Sequence, residues 1–276
     1  SVLLDRIKSD GLNVSVRDYH TKTLLDVHGL PSVLMTACPA TYSLSHVSYG
    51  STQISSINKI TISSGVHMSK SRSLWRQTQD LVQEVRNAYP AAEITVAFHH
   101  ALGSAFKQAY GKSTRVFRKQ QQLAKWLKSE GIHFVDLSGS HQSLIAHYSD
   151  TDLHIGYRVH AHILMVSLRR PSVLLAEDGR GSALHQVLGG HIYDAFERYS
   201  DVKALNEFYS STNLPLKVLR RALPLLDAYS THTSLPAAIV RNIESDRKTG
   251  WPRANQAFTA SQRHFNTMQS FLNSLP

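Results

Sequence analysis

The sequence predicts an α/β fold built on a Rossmann-like, doubly wound parallel sheet. Three observations lead there. Between residues 59 and 190, short β-rich runs alternate with longer stretches whose apolar residues recur at helical spacing. Strands alternating with helices pair in parallel, because each helix carries the chain back to the edge where the last strand began. Small, polar and cationic residues gather where the runs end, in SSGVH, FHH, DLSGS, GYRVH and AEDGRG, and in such sheets ligands bind beyond the carboxyl ends of the strands.

Each element has its own reason. LNVSVRD (12–18) reads as a strand, TKTLLDVHG (21–29) as a helix stopped by glycine, and SVLMTACP (32–39) as a strand. The Ser/Thr-rich stretch that follows contains a linker at 51–58. KITISSG (59–65) opens the regular part, and in residues 73–89 Leu74, Leu81 and Val85 share a helix face. EITVAFHH (93–100) is the next strand. The helix at 116–131 places Val116, Leu123, Trp126 and Leu127 on one side and stops at Gly131. IHFVDLSGS, SLIAHYSD, DLHIGYR, HAHILMVSLRR, SVLLAED and SALHQVLG continue the alternation to residue 189. Beyond 190 the pattern becomes helical and basic, broken by Pro215, Pro224 and Pro236. The expected organisation is a partial N-terminal lobe at 1–50, a linker at 51–58, a Rossmann-like donor-binding domain at 59–195, and a basic helical region at 196–276 that packs back on the lobes.

Composition bounds the function. In 276 residues, 42% hydrophobic and 18% charged, there is material for a substantial core. A net charge of +10 points to an anionic partner. The basic clusters KSTRVFRK and LKVLRRAL lack the aromatic interleaving of a single-strand binder, so no nucleic-acid partner is expected. PLKVLRRALPLL has the alternation of an amphipathic helix, expected to pack on the sheet or, as the alternative, to touch a membrane surface. No apolar run spans a bilayer and the single cysteine, Cys38, excludes an internal disulfide. The expected location is cytoplasmic, at most peripheral to the inner face of the membrane.

The densest chemistry lies in DLHIGYRVHAHI (152–163), with three histidines and an arginine. A metal is not expected. His160 and His162, two apart at a helix start, are turned about 200° from each other, and no HExxH or Cys/His framework supports them. His154 and His162 read as scaffold. Arg158 and His160 stand where a strand delivers its end to a helix N-terminus, whose free N–H groups and dipole favour an anion. A permanent cation beside a titratable imidazole suits binding of, and proton transfer to, a phosphorylated or carboxylated substrate. Gly156 before them permits a close approach. In AEDGRG (176–181), Glu177 and Asp178 are candidates to orient a hydroxyl or act as acid or base, and Arg180 to bind an anion. Arg17, ending an early strand, and His67, in SSGVHMSKSR, are further candidate contacts.

VSVRDYHTKTLL with the following VLMTACPATY, then DLHIGYRVHAHI, then RRPSVLLAEDGRG together resemble the polysaccharide pyruvyl transferase family, over about residues 12–190. The resemblance implies a two-lobed, glycosyltransferase-B-like fold. It implies transfer of a pyruvyl group from phosphoenolpyruvate onto sugar hydroxyls as a ketal, in biosynthesis of a cell-surface polysaccharide or exopolysaccharide. The acceptor would be a saccharide or lipid-linked saccharide, and no metal or cofactor is required. Arg158 and His160 fall at the family's Arg-x-His element, and Arg17 at the arginine of its SVRD block. A donor with a phosphate and a carboxylate suits two arginines. His160 would protonate the donor's methylene carbon, and Asp178 or Glu177 would position the acceptor. In one respect the chain departs from the pattern: only about a dozen residues precede the SVRD block. The expectation is therefore either a short or truncated first lobe or a reduced relative whose cleft is completed by another chain, a homo-oligomer being one form of that. The alternatives are a nucleotide-sugar-dependent glycosyltransferase with Glu177 or Asp178 on ribose hydroxyls, and a non-catalytic sugar- or anion-binding relative.

Overall fold

A computed structural model describes residues 2–9, 14–52, 54–103, 115–198 and 229–275; the amphipathic segment PLKVLRRALPLL lies outside them. The chain opens with α1 (Val2–Ser9), β1 (Ser15–Val16), α2 (Tyr19–Val27) and β2 (Leu34–Met35). The regular part follows as β3 (Lys59–Ser63), α3 (Arg72–Ala88), β4 (Glu93–Phe98), α4 (Arg115–Ser129), β5 (His133–Asp136), α5 (His141–Ser149), β6 (Leu153–Gly156), α6 (Val159–Ser167), β7 (Ser172–Ala176), α7 (Gly179–Leu188) and β8 (His191–Asp194). It ends with the short pair β9 (Glu197–Arg198) and β10 (Tyr229–Ser230) and two helices, α8 (Leu235–Lys248) and α9 (Pro252–Asn273).

Six parallel strands form the sheet in the order β5-β4-β3-β6-β7-β8. This is the doubly wound order in which the chain builds outward from β3 in one direction and then in the other. The central strands are buried on both faces and accordingly read as nearly unbroken apolar runs, as in SVLLA of β7. Ile60, Ile62, Val96, Leu153, Ile155, Val173 and Leu174 form the middle of the core. On one side α3 buries Leu74, Leu81, Val82 and Val85, and Ser71 caps it by accepting the Leu74 N–H at 3.1 Å. In α4, Leu123 and Leu127 are buried together with Phe117, while Val116 and Trp126 are half-buried.

β8 departs from the expectation that the chain turns helical after residue 190. HIYD forms a sixth strand in register with β7, Val173 opposite His191 and Ala176 opposite Asp194. Its buried His191 Nε2 lies 2.8 Å from Asp246 Oδ2 in α8, and Asp246 also accepts the N–H groups of Arg253 and Ala254 at the start of α9. Strand β8 is thus specified by a partner far away in the chain.

β1 and β2 pair in parallel as a separate two-stranded sheet. They are joined to the main body by α9, whose Ser261 Oγ donates to the Thr41 carbonyl at 3.0 Å, and by Arg169, which reaches the carbonyls of His46 and Val47. Arg17, just past β1, lies within electrostatic reach of His160 at the carboxyl edge of the large sheet.

Candidate active site

The site is built over the end of β3. Its neighbours β4 and β6 are reached by crossovers that leave in opposite directions, which opens a crevice at the carboxyl edge between them. β3 ends in Ser63-Ser64-Gly65, small enough to leave that space open. The strands pack closely here. A Cβ on Gly156 would lie 2.4 Å from the Ser63 carbonyl oxygen, and its φ of +153° is glycine territory. The close approach foreseen at this glycine is therefore one of backbone to backbone.

A buried chain of polar groups holds β6 and the start of α6 in place. The Arg158 N–H donates to Ser63 Oγ at 3.1 Å, Ser63 Oγ lies 2.8 Å from His154 Nε2, and Ser172 Oγ lies 2.8 Å from both His154 Nδ1 and His162 Nδ1. Both imidazoles are fully buried and burial pushes their pKa values down, that of His162 to about 3, so both are neutral. They are scaffold beneath the site.

Above them opens a cavity of about 440 Å³. Arg158, His160 and Arg180 contribute to its lining from the β6–α6 and β7–α7 turns, and His99 and His100 from the end of β4. Arg158 is the N-cap residue of α6, and its buried Nε has no hydrogen-bond partner among the described residues. Burial lowers its pKa, while the nearest compensation is the long-range field of Glu177. A cation thus stands at the positive end of a helix dipole, an arrangement that favours binding of an anion.

His160 is exposed and lines the cavity. Desolvation against the cavity wall lowers its pKa, as do the charges of Arg180, Arg158 and Arg17. Arg17 therefore acts on the same group as the other two arginines. Its own side chain is largely exposed, 3.6 Å from Asp18.

The remaining candidates sit beside the cavity in distinct ways. Glu177 is buried, and its carboxylate accepts the N–H groups of Val66 at 3.0 Å and His67 at 2.8 Å. Burial raises its pKa, against the lowering effect of those two amides and of Arg158. Both oxygens are thus occupied in anchoring the β3–α3 loop, and a Cβ on Gly65 would fall 2.3 Å from one of them. Asp178 caps α7 and pairs with Arg180 at 2.7 Å, which holds its carboxyl below the usual range. His67 is tied to Glu177 through its backbone, and its ring lies 6.0 Å from that of Phe196. A second cavity of about 520 Å³ adjoins the first, sharing Glu177 and Asp178 and lined also by Ser182, Asp194 and Phe196.

The structure thus gathers Arg158, His160, Asp178, Glu177 and Arg180 around one cavity, with Arg17 in electrostatic reach and His67 one loop away. It adds His99 and His100, which sequence reasoning noted only as a strand end. His99 Nε2 lies 2.7 Å from the hydroxyl of the buried Tyr148, and its pKa is pushed to about 3, first by burial and then by Arg158 and His160. His100 is half-buried and also lowered, by burial and by Arg158. Among the described residues no group of three or more His, Cys, Asp or Glu is placed to hold a metal ion.

Residues 3–179 match the family described as polysaccharide pyruvyl transferase. The chain belongs to this family. The matched stretch ends at Gly179, so it takes in the Arg158–His160 element and the end of β7 and leaves Arg180 just outside. A search of curated proteins found no match. Among solved structures the chain is similar to UDP-GlcNAc 2-epimerase from Neisseria meningitidis bound to UDP-GlcNAc (11% identity, TM-score 0.40, covering 83% of this chain and 60% of that one). It is also similar to a UDP-forming α,α-trehalose-phosphate synthase from Burkholderia xenovorans (14%, 0.36, 70% and 45%) and to the pneumococcal O-GlcNAc transferase GtfA in complex with UDP and GlcNAc (12%, 0.36, 96% and 46%). The chain spans between 45% and 60% of the length of these proteins. No helix among the described residues is long and apolar enough to cross a membrane.

Proposed function

We propose that this member of the family binds phosphoenolpyruvate in the 440 Å³ cavity and transfers its pyruvyl group to hydroxyls of a saccharide as a ketal. The observation that carries the reading is Arg158, half-buried at a helix N-terminus, whose buried Nε has no hydrogen-bond partner among the described residues. Phosphoenolpyruvate has a phosphate and a carboxylate on adjacent groups, and Arg158, Arg180 and Arg17 offer complementary charge for both. His160 is the acid that protonates the methylene carbon. Its imidazole is depressed first by desolvation and then by the surrounding arginines, and a bound donor, multiply anionic, offsets the arginines' share and favours the charged ring. The saccharide acceptor is held across the two adjoining cavities, with Asp194 and Ser182 offering hydroxyl-binding groups beside Phe196 at one end and the reacting hydroxyls reaching into the donor cavity. A soluble saccharide and a lipid-linked one present the same hydroxyls to it, so the reading extends to either.

The nucleotide-sugar alternative is less well supported. Of the two carboxylates it would use on ribose hydroxyls, Glu177 is engaged by the Val66 and His67 amides and Asp178 by Arg180.

The test is calorimetric titration with phosphoenolpyruvate and a phosphate-release assay over a panel of saccharides. Donor affinity should fall at least about 100-fold in Arg158→Ala, while His160→Ala should keep donor binding and lose acceptor-dependent phosphate release. No donor binding by the unaltered protein would overturn the reading.

A further inference from the structure

The donor cavity has two walls, and the functional reading above uses only one. His160, Arg158 and Arg180 come from the β6–α6 and β7–α7 turns. The opposite wall is the carboxyl end of β4, where His99 and His100 line the same space from across the end of β3. The two histidines are in different situations. His99 is fixed by the Tyr148 hydroxyl at 2.7 Å, and its ring packs 5.7 Å from that of Tyr148. Tyr148 is fully buried within α5, so this pair is a rigid support. His100 is half-buried, faces the cavity, and has no hydrogen bond or ion pair through its ring among the described residues.

The proposed reaction needs such a group. Adding a proton to the methylene carbon of phosphoenolpyruvate turns CH2 into CH3 and leaves C2 electron-poor. A sugar hydroxyl attacks C2 and must lose its proton, which His160, having just donated one, is not placed to take at the same moment. We propose that His100 is the catalytic base that accepts this hydroxyl proton, working across the cavity from His160, with His99 as its positioning residue. The inference rests on the donor assignment made above.

The steps balance. His160 gives its proton to C3 as the first hydroxyl oxygen bonds to C2 and its hydrogen passes to the His100 imidazole. The C2–O bond to phosphate then breaks with its electron pair on phosphate, which leaves as hydrogen phosphate with the proton held by His100. A second hydroxyl bonds to C2 to close the ketal, and its proton restores His160. A base accepting this proton sits best as a neutral imidazole. At His100 burial comes first in holding the pKa below the ordinary histidine value, with Arg158 second. A bound donor offsets one arginine there against three at His160, so the donor charges His160 more readily than His100.

The experiment compares the unaltered protein with His100→Ala and His99→Gln, following phosphoenolpyruvate binding by calorimetry and acceptor-dependent phosphate release with and without added imidazole. His100→Ala should bind the donor within about threefold of normal and lose roughly 10²–10⁴-fold in kcat, with part of the loss restored by imidazole. That rescue is a readout a purely structural role would not move. His99→Gln should lose less, and imidazole should not restore it. An active unaltered protein whose activity survives in His100→Ala, or whose loss imidazole leaves untouched, would overturn the base assignment and leave the donor site standing. Loss of donor binding in His100→Ala would also overturn it, making the residue part of the anion clamp. An unaltered protein that binds no phosphoenolpyruvate would overturn the donor assignment and the base with it.

Discussion

Two arginines bracket the same helix and are treated in opposite ways. Arg158 caps the N-terminus of α6, and Arg169 stands just past its C-terminus. Arg169 is almost wholly buried, and each part of its guanidinium is used: Nε donates to the His46 carbonyl at 3.0 Å, Nη2 to Val47 at 2.8 Å and Nη1 to Val166 at 3.2 Å, over the ring of Phe258. It also sits at the negative end of the helix dipole, where a cation is favoured. Arg158 sits at the positive end, where a cation is disfavoured, and its buried Nε has no partner among the described residues. The same side chain is structural at one end and unsatisfied at the other. A buried donor left without an acceptor is a cost to stability, and an anion that arrives as substrate in the cavity Arg158 lines would satisfy it.

The sharpest way to break this contrast is to remove each arginine and measure stability. Arg169→Ala should cost on the order of 3 kcal/mol, since three carbonyls lose a charged donor at once, read as a lowered urea midpoint with unchanged slope. Arg158→Ala should leave the midpoint unchanged or raise it. The donor should stabilise the unaltered protein by about 2.7 kcal/mol at 100 times Kd, and Arg158→Ala should lose that increment. Equal destabilisation by the two variants would show that Arg158 is structural after all.

A smaller effect is expected at the other satisfied cluster. Asp246 is the buried acceptor for His191 and for two N–H groups at the head of α9. Asp246→Ala should cost about 2 kcal/mol, with the loss in hydrogen-exchange protection concentrated in β8 and the first turn of α9. Uniform loss across the sheet would mean that the seam is not a local unit.

The same contrast explains what the sequence made legible. SVLLA of β7 announced a strand because both its faces are covered, and the Arg158–His160 pair stood out because a strand end ran straight into a helix. HIYD of β8 has only Ile192 and Tyr193 as apolar residues, and its burial depends on His191 meeting a carboxylate 55 residues later, which no local pattern contains. His99 and His100 have the chemistry of site residues, yet residues 101–103 directly after them form no helix to mark the edge. Tyr148 lies inside a short helix with no signal at all. Glu177 read as a charge at a strand end, free for a ligand; that its oxygens anchor the β3–α3 loop depends on Gly65 and two amides more than a hundred residues earlier. Sequence locates the unsatisfied charges well, because a cation at a strand end is locally conspicuous. Satisfaction by distant backbone is what it conceals.

The finest test concerns the charge balance around His160. Desolvation and the nearby arginines hold its pKa below the ordinary histidine value, so a reaction that needs the imidazolium should show kcat/KM falling as pH rises through a limb lower than that of an ordinary histidine. Arg180 is the largest charged contributor to that depression, and Asp178 is its ion-pair partner. Arg180→Ala removes a cation and leaves a carboxylate unpaired nearby, and both changes favour the charged ring. The falling limb should therefore move to higher pH, while Arg17→Ala, more exposed and the smallest charged contributor, should move it in the same direction by less. A limb that stays in place in both variants would separate His160 from the proton transfer and shift attention to the opposite wall. A limb that moves would show that the arginines which attract the donor also set the acid that acts on it.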